Sequence, residues 1–214
     1  MKVAILGASG FVGSFILAEA LRRGHKVTAV IRHPEEISQH PNLAVKQGNI
    51  LDEDSLALLI SECEAVISAF GPGTSNPDFR EIQMKGTTAI INGVKKAGIS
   101  RLLMVGGAGS LEVAPGIQLV DTDEYPSEWK TAGTSTREVL NLLLNEHELE
   151  WTFLSPSLYL SPGERTGKFS LGNDQLIRNS IGESKISSED YAVAMIDELE
   201  KPKHIRKRFT VGYT

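Results

Sequence analysis

The stretch "GASGFVGS", residues 7–14, constrains the fold more than any other part of this chain. Its glycines fall at 7, 10 and 13, a G-x-x-G-x-x-G spacing. Before it, "KVAILG" (2–7) is a short apolar run that ends in glycine. After it, "FVGSFILAEALRRG" (11–24) carries helical periodicity and a stop at Gly24, and "HKVTAVIR" (25–32) is again apolar and β-branched. Strand, glycine turn, helix and strand within about 30 residues form one βαβ unit. In such a unit the first glycine permits a tight turn and the second lets backbone approach a pyrophosphate. The third lets the helix pack close to the sheet. The helix amino terminus then presents free N–H groups and a partial positive charge to phosphate. A dinucleotide site built from Gly7, Ala8, Ser9, Gly10, Phe11, Val12 and Gly13 is the expectation.

The alternation continues to the end of the chain. Strands are expected at 43–50, 65–71, 101–107, 151–157 and 207–213, and helices at 52–62, 79–98, within 128–148 and at 187–202. The last helix opens on a Ser cap followed by acidic residues. Strands that alternate with helices predict an α/β fold, a Rossmann-type doubly wound parallel sheet with helices on both faces. Strand order 3-2-1-4-5-6 is expected, with a seventh strand at one edge and residues 1–214 as a single domain. Two segments, 108–127 and 158–187, break the alternation. Both follow the carboxyl ends of strands, where ligands of open α/β sheets bind, and so read as substrate-cleft loops.

The second strand ends "VIRHP", with Arg32 and His33 where NAD-preferring sites carry an acid. A guanidinium suits a 2′-phosphate, which favours NADP(H) and leaves NAD(H) possible. Asn49 and Ile50, after the third strand, are placed to line the adenine. Ala69, Phe70 and Gly71, after the fourth, are placed along the adenosine ribose or pyrophosphate. Further on, Gly106 and Gly107 in "GGAGSL" and Ser155 and Pro156 in "SPSLYL" could line an apolar cleft over a nicotinamide.

Other classes fall away. Net charge is −5, which argues against nucleic acid or an acidic membrane surface as partner. The Lys/Arg-rich run 201–209 reads as a solvated face. No run approaches the ~20 apolar residues of a membrane span, and the amino terminus lacks a signal-peptide shape, so a soluble cytoplasmic protein is expected, monomer or homodimer. Cys63 is the single cysteine, flanked by Glu62 and Glu64, which oppose a thiolate. The five histidines are scattered, so no metal site is expected. There is no G-x-S-x-G elbow and no lysine of the nucleotide-phosphate loop after the glycines. Trp129, Trp151 and Phe153 read as core. Glu164, Arg165 and Lys168, in "PGERTGK" (162–168), could meet an anionic substrate such as a flavin phosphate.

The combination "GASGFVGS", "VIRHP", "GNILD" and "AVISAFGPG" resembles the atypical short-chain dehydrogenase/reductases, the NmrA-like and NAD-dependent epimerase/dehydratase-like proteins. The stretches "WTFLSPS", "PGERTGKF" and "GESKISSEDYAVAMIDELE" look closer to small bacterial proteins named NADH-flavin reductases, similar in design to biliverdin reductase B. The resemblance implies a Rossmann fold, NAD(P) binding and reductase activity. Active relatives carry a Tyr and a Lys on the helix before the sixth strand; counted back from "WTFLSP", those positions fall near Gly133 and Arg137, and neither matches. Tyr125 and Lys130 lie upstream in "YPSEWK", five apart with Pro126 between them, and Ser110 loosely replaces the relatives' serine. Residues five apart on a helix point about 140° from one another, so the two would not share a face. These three are the candidate catalytic residues.

Reduction of a ketone creates an alkoxide that needs a proton at once, whereas a reduced flavin or quinone is a delocalised anion that water protonates. An NAD(P)H-dependent reductase of a flavin (FMN or FAD), a quinone or a similar small conjugated acceptor is therefore the first expectation. A non-catalytic NADP-binding sensor is the second. A nucleotide-sugar epimerase or dehydratase is the third.

Overall fold

The computed structural model describes residues 1–73 and 76–214. Among the described residues the strands, in chain order, are β1 (Lys2–Leu6), β2 (Lys26–Ile31), β3 (Leu43–Gln47), β4 (Ala65–Ser68), β5 (Arg101–Val105), β6 (Glu112–Ala114), β7 (Ile117–Gln118), β8 (Glu150–Ser155), β9 (Tyr159–Ser161), β10 (Ser170–Gly172), β11 (Lys185–Ser187) and β12 (Lys207–Gly212). The α-helices are α1 (Phe11–Arg22), α2 (Glu53–Ile60), α3 (Phe79–Lys96), α4 (Lys130–Leu144) and α5 (Ser188–Glu200).

Eight strands form the main sheet in the order β10-β12-β8-β5-β4-β1-β2-β3. All its pairings are parallel except β10 with β12. The expected doubly wound order therefore holds from β3 to β8. The carboxy-terminal strand β12 follows β8 but does not end the sheet, because short β10, an antiparallel strand from the second long loop, covers its outer side. No sequence pattern announced β10, because three residues are too few for an alternation to register.

Side chains of the central strands alternate between two cores, as the two-residue period of a strand requires. Val3, Ile5, Val27, Ala29, Ile67, Leu103 and Phe209 face α1 and α5. Ala4, Leu6, Val30, Val66, Leu102, Met104, Trp151 and Phe153 face α2, α3 and α4. Both faces are apolar because both are covered, the condition under which a parallel sheet is stable. A third, smaller cluster of Ala108, Leu111, Leu119 and Leu158 lies under the two long loops, with Tyr125 and Leu176 packed against it.

Helix starts differ in a way that matters for function. Asp52 caps α2 and Ser187 caps α5, each accepting a backbone N–H, and acidic residues fill both first turns. The start of α1 has Gly10 at the cap, no side-chain hydrogen bond and no acid in its first turn. Its leading N–H groups have no intrahelical acceptor. No α-helix among the described residues is long and apolar enough to cross a membrane.

Candidate nucleotide cleft and acceptor wall

A cleft of about 240 Å³ opens at the carboxyl ends of β1 to β4. It spans the point where the strand order reverses, between β1 and its neighbours β2 and β4, the position at which open α/β sheets bind ligands. Of the residues predicted from sequence, Gly7, Ser9, Gly10, Arg32, His33, Asn49, Ile50, Ala69, Phe70 and Gly71 all line it. Ala8 is buried behind the turn, and half-buried Val12, in the first turn of α1, packs against the core. Phe11, the first residue of α1, is exposed.

The glycines of the turn are dictated by space. Gly7 has φ +77°, and a Cβ there would lie 2.7 Å from the carbonyl oxygen of Ala69. A Cβ on Gly13 would collide with the carbonyl oxygen of Gly7. The turn, the helix and the end of β4 are thus in direct backbone contact. Gly10 donates its N–H to the Gly7 carbonyl at 3.0 Å and leaves the helix start bare. Across the cleft, Phe70 lies against Gly86 of α3, where any side chain would strike its ring. This arrangement fits a dinucleotide: donors converge at an uncapped, acid-free helix start, and the backbone leaves no side chain in the way.

Glu36 and Asn76 also line the cleft, and sequence reasoning missed both. Glu36 sits in the short 3₁₀ turn Pro34–Glu36 that follows His33, so it shares the mouth with Arg32. Its signal, an acid four residues beyond the arginine, is too ordinary to single out.

The expected nicotinamide side lies beyond β4. Gly106 and Gly107 follow β5; a Cβ on Gly106 would strike the Phe153 ring, and one on Gly107 would strike Thr136 of α4. Ser155 ends β8 and is fully buried, with its hydroxyl oxygen left without a partner among the described residues. Pro156 follows it, also buried. The segments 108–127 and 158–187 meet through residues 112, 124 and 174–178. Leu176 donates its N–H to the carbonyl of Glu112, Glu112 donates to that of Asp174, and Arg178 pairs with Glu124 at 2.6 Å.

The three catalytic candidates do not converge on one another. Ser110 is 1% exposed, and its hydroxyl and carbonyl oxygens both accept from Arg208, which also pairs with Asp174. Lys130 is the exposed first residue of α4. Tyr125 lies ahead of α4, separated from it by Pro126 and the 3₁₀ turn Ser127–Trp129. Its half-buried ring lies over Gly133, near which the count by resemblance put the relatives' tyrosine. A Cβ on Gly133 would come within 2.5 Å of the Tyr125 hydroxyl. Burial pushes the Tyr125 phenol up from its usual pKa, so it stays neutral well past neutral pH. Arg137, at the expected lysine position, pairs with Asp121 at 2.7 Å and reaches Gln118.

Two expectations are corrected. Arg165 does not face the sheet's carboxyl edge: both ends of its guanidinium bond Glu19 of α1, at 2.9 Å each. Glu19 is 4% exposed and also accepts from Arg22 and Arg23. A buried carboxylate must be compensated, and three guanidinium groups do so, which draws the loop down along α1. The same loop is pinned to α5, since Asp190 accepts from the backbone of Thr166 and Gly167, and Glu189 from that of Gly163. Trp129 is the second correction. Trp151 and Phe153 are core, but Trp129 is 36% exposed and meets Tyr159 edge-on.

With this geometry in view, the class of the protein follows. The model of the NAD(P)H-binding family matches residues 7–202, and the chain belongs to that family. Among individual proteins, the uncharacterized protein YwnB of Bacillus subtilis is 41% identical over 217 residues, covering 99% of this chain and 98% of YwnB. A Bacteroides thetaiotaomicron structure described as a "putative epimerase" superimposes with TM-score 0.92 at 49% identity, covering 99% of this chain and 96% of that one. A Streptococcus pneumoniae "putative NADH-flavin reductase" superimposes with TM-score 0.86 at 34% identity, with both chains fully covered. The expected kinship with NADH-flavin reductase-like and epimerase-like proteins is thus found.

Proposed function

We propose that this protein is an NAD(P)H-dependent reductase that passes hydride to a flavin, a quinone or a similar conjugated acceptor without a Tyr–Lys proton-donor pair. One observation carries the reading: an intact nucleotide cradle stands beside a helix α4 that has glycine at position 133. A bound reduced nicotinamide would supply the hydride, and water the proton for the acceptor. The chain's own residues bind and orient. The N–H groups at the start of α1 hold the pyrophosphate, and Phe70 with Ile50 flanks the adenosine. Arg32 takes a 2′-phosphate through charge and paired N–H donors, which favours NADP(H). The partnerless Ser155 hydroxyl offers a hydrogen bond at the nicotinamide end. Tyr125, held neutral by burial and without the adjacent lysine, is a packing residue in this reading. Similarity to the Streptococcus protein supports the reductase reading.

The test is NADPH oxidation, followed at the nicotinamide absorbance, with FMN and menadione as acceptors and Tyr125→Phe alongside. Turnover within about twofold of wild type in Tyr125→Phe is expected. Loss of two or more orders of magnitude would make Tyr125 the acid after all. NADPH binding without turnover in either protein would support the second reading, a non-catalytic sensor, which the bound-up state of Ser110 favours. The Bacteroides relative points to epimerase chemistry, which needs an acid–base pair on the helix. NAD⁺ that survives purification would favour it.

A further inference from the structure

Trp129, in the 3₁₀ turn before α4, meets Tyr159 of the second long loop, with ring centroids 6.2 Å apart and planes at 73°. Trp129 is 36% exposed and Tyr159 51%. Lone exposed aromatics are common on protein surfaces; two from segments thirty residues apart in sequence, packed on each other and still open to solvent, are not needed for the core. Both are held firmly. The N–H of Tyr159 bonds the Ser184 carbonyl at 3.0 Å, and β9 pairs in parallel with β11. The N–H of Trp129 bonds the Pro126 carbonyl at 3.0 Å, inside the turn that leads into α4.

Their place in the fold is specific. Trp129 directly precedes α4, which starts at the carboxyl edge of the sheet, and Tyr159 stands four residues beyond the end of β8. The nucleotide cleft uses the ends of β1 to β4, and a dinucleotide crosses the switch point toward the strands on its far side, β5 and β8. In the reductase reading, the start of α4 and the segment after β8, which carry the pair, belong to that far side. An exposed, preorganised aromatic surface rewards a flat π-system and gives little to an aliphatic carbonyl. Exposed Lys130, next in the chain, adds a cation for an acceptor that bears or develops negative charge.

We propose that Trp129 and Tyr159 form the wall against which the hydride acceptor stacks, and that the acceptor is a planar conjugated ring. This rests on the reductase reading above. The experiment has two readouts. The first is steady-state kinetics with FMN and with menadione for wild type, Trp129→Leu, Tyr159→Leu and Trp129→Phe. The second is equilibrium titration of FMN, by quenching of flavin fluorescence, onto each protein saturated with NADP⁺. The leucine variants are expected to raise the acceptor KM and weaken FMN binding about tenfold each, while Trp129→Phe recovers most of the loss and NADPH affinity stays at the wild-type value. A loss confined to FMN marks a flavin acceptor, and a loss shared with menadione marks recognition of any flat ring; either supports the wall. Unchanged acceptor KM and FMN affinity in both leucine variants overturn it. If wild type reduces neither acceptor, the reductase reading falls. The titration then decides alone: FMN binding weakened in the leucine variants keeps the aromatic wall, and binding equal to theirs, or none, removes it.

Discussion

Arg32 stands at the mouth of the cleft with its side chain exposed, and its carbonyl accepts from Gln47. In the proposed NADP(H) reading, the charge at that position selects a 2′-phosphate over a 2′-hydroxyl. Arg32→Glu is expected to weaken NADPH binding by at least tenfold, about 1.4 kcal/mol, and to change NADH binding by less than threefold. Titration of the two nucleotides by nicotinamide fluorescence measures both; an equal loss of both would remove Arg32 from cofactor choice. Glu36 shares the mouth and is the residue to change next, because a carboxylate is the group that NAD-preferring sites use toward the ribose hydroxyls. Legibility at this scale was uneven. Ten of the predicted positions line the cleft because the turn and the strand ends are sequence-local features. Trp129 and Arg165 were read less well, since each is placed by a partner far away in the chain: Tyr159 and Glu19.

At the scale of elements, α1 joins the two ends of the molecule's chemistry. Its first turn faces the cleft, and its last turns carry Glu19, which holds Arg165 of the 162–168 loop, and Arg23, which pairs with Asp197 and Glu200 of α5. Burial would push the Glu19 carboxyl up. The hydrogen bonds from Arg22, Arg165 and Arg23 outweigh it and hold the group far below the usual carboxylate range. A carboxyl depressed in the folded state adds stability above its unfolded pKa of about 4.3, and that stability is lost as pH falls below it. Glu19→Gln is therefore expected to be less stable than wild type at pH 7, with a deficit that narrows from pH 5 toward pH 3.5. Urea unfolding at several pH values checks this, and a deficit independent of pH would assign the cluster to packing alone. The helices themselves were legible, since caps, acidic first turns and apolar periodicity are local. The short pairs β6–β7 and β9–β11 were not, because their pairing depends on loops meeting.

At the scale of the whole molecule, nucleotide binding and folding are one equilibrium. A ligand that binds only the native state at a hundred times its Kd adds about 2.7 kcal/mol. For a chain of this size that is roughly 5–10 °C in Tm. NADPH at that excess is expected to raise Tm by this amount. In Gly13→Val, where the new side chain meets the Gly7 carbonyl, the shift is expected to vanish and the unliganded protein to melt earlier. Differential scanning fluorimetry measures both. A full shift in the variant would mean that the turn does not hold the nucleotide.

By itself the sequence determined the doubly wound sheet, the glycine turn and the strand ends that wall the cleft. These rest on periodicity, caps and backbone freedom, which act over a few residues. Only the tertiary structure decided what happens beyond β5. There the side chains are placed by long-range contacts that no local pattern encodes: Tyr125 over Gly133, Ser110 on Arg208, Arg165 drawn to a buried Glu19, and Trp129 against Tyr159.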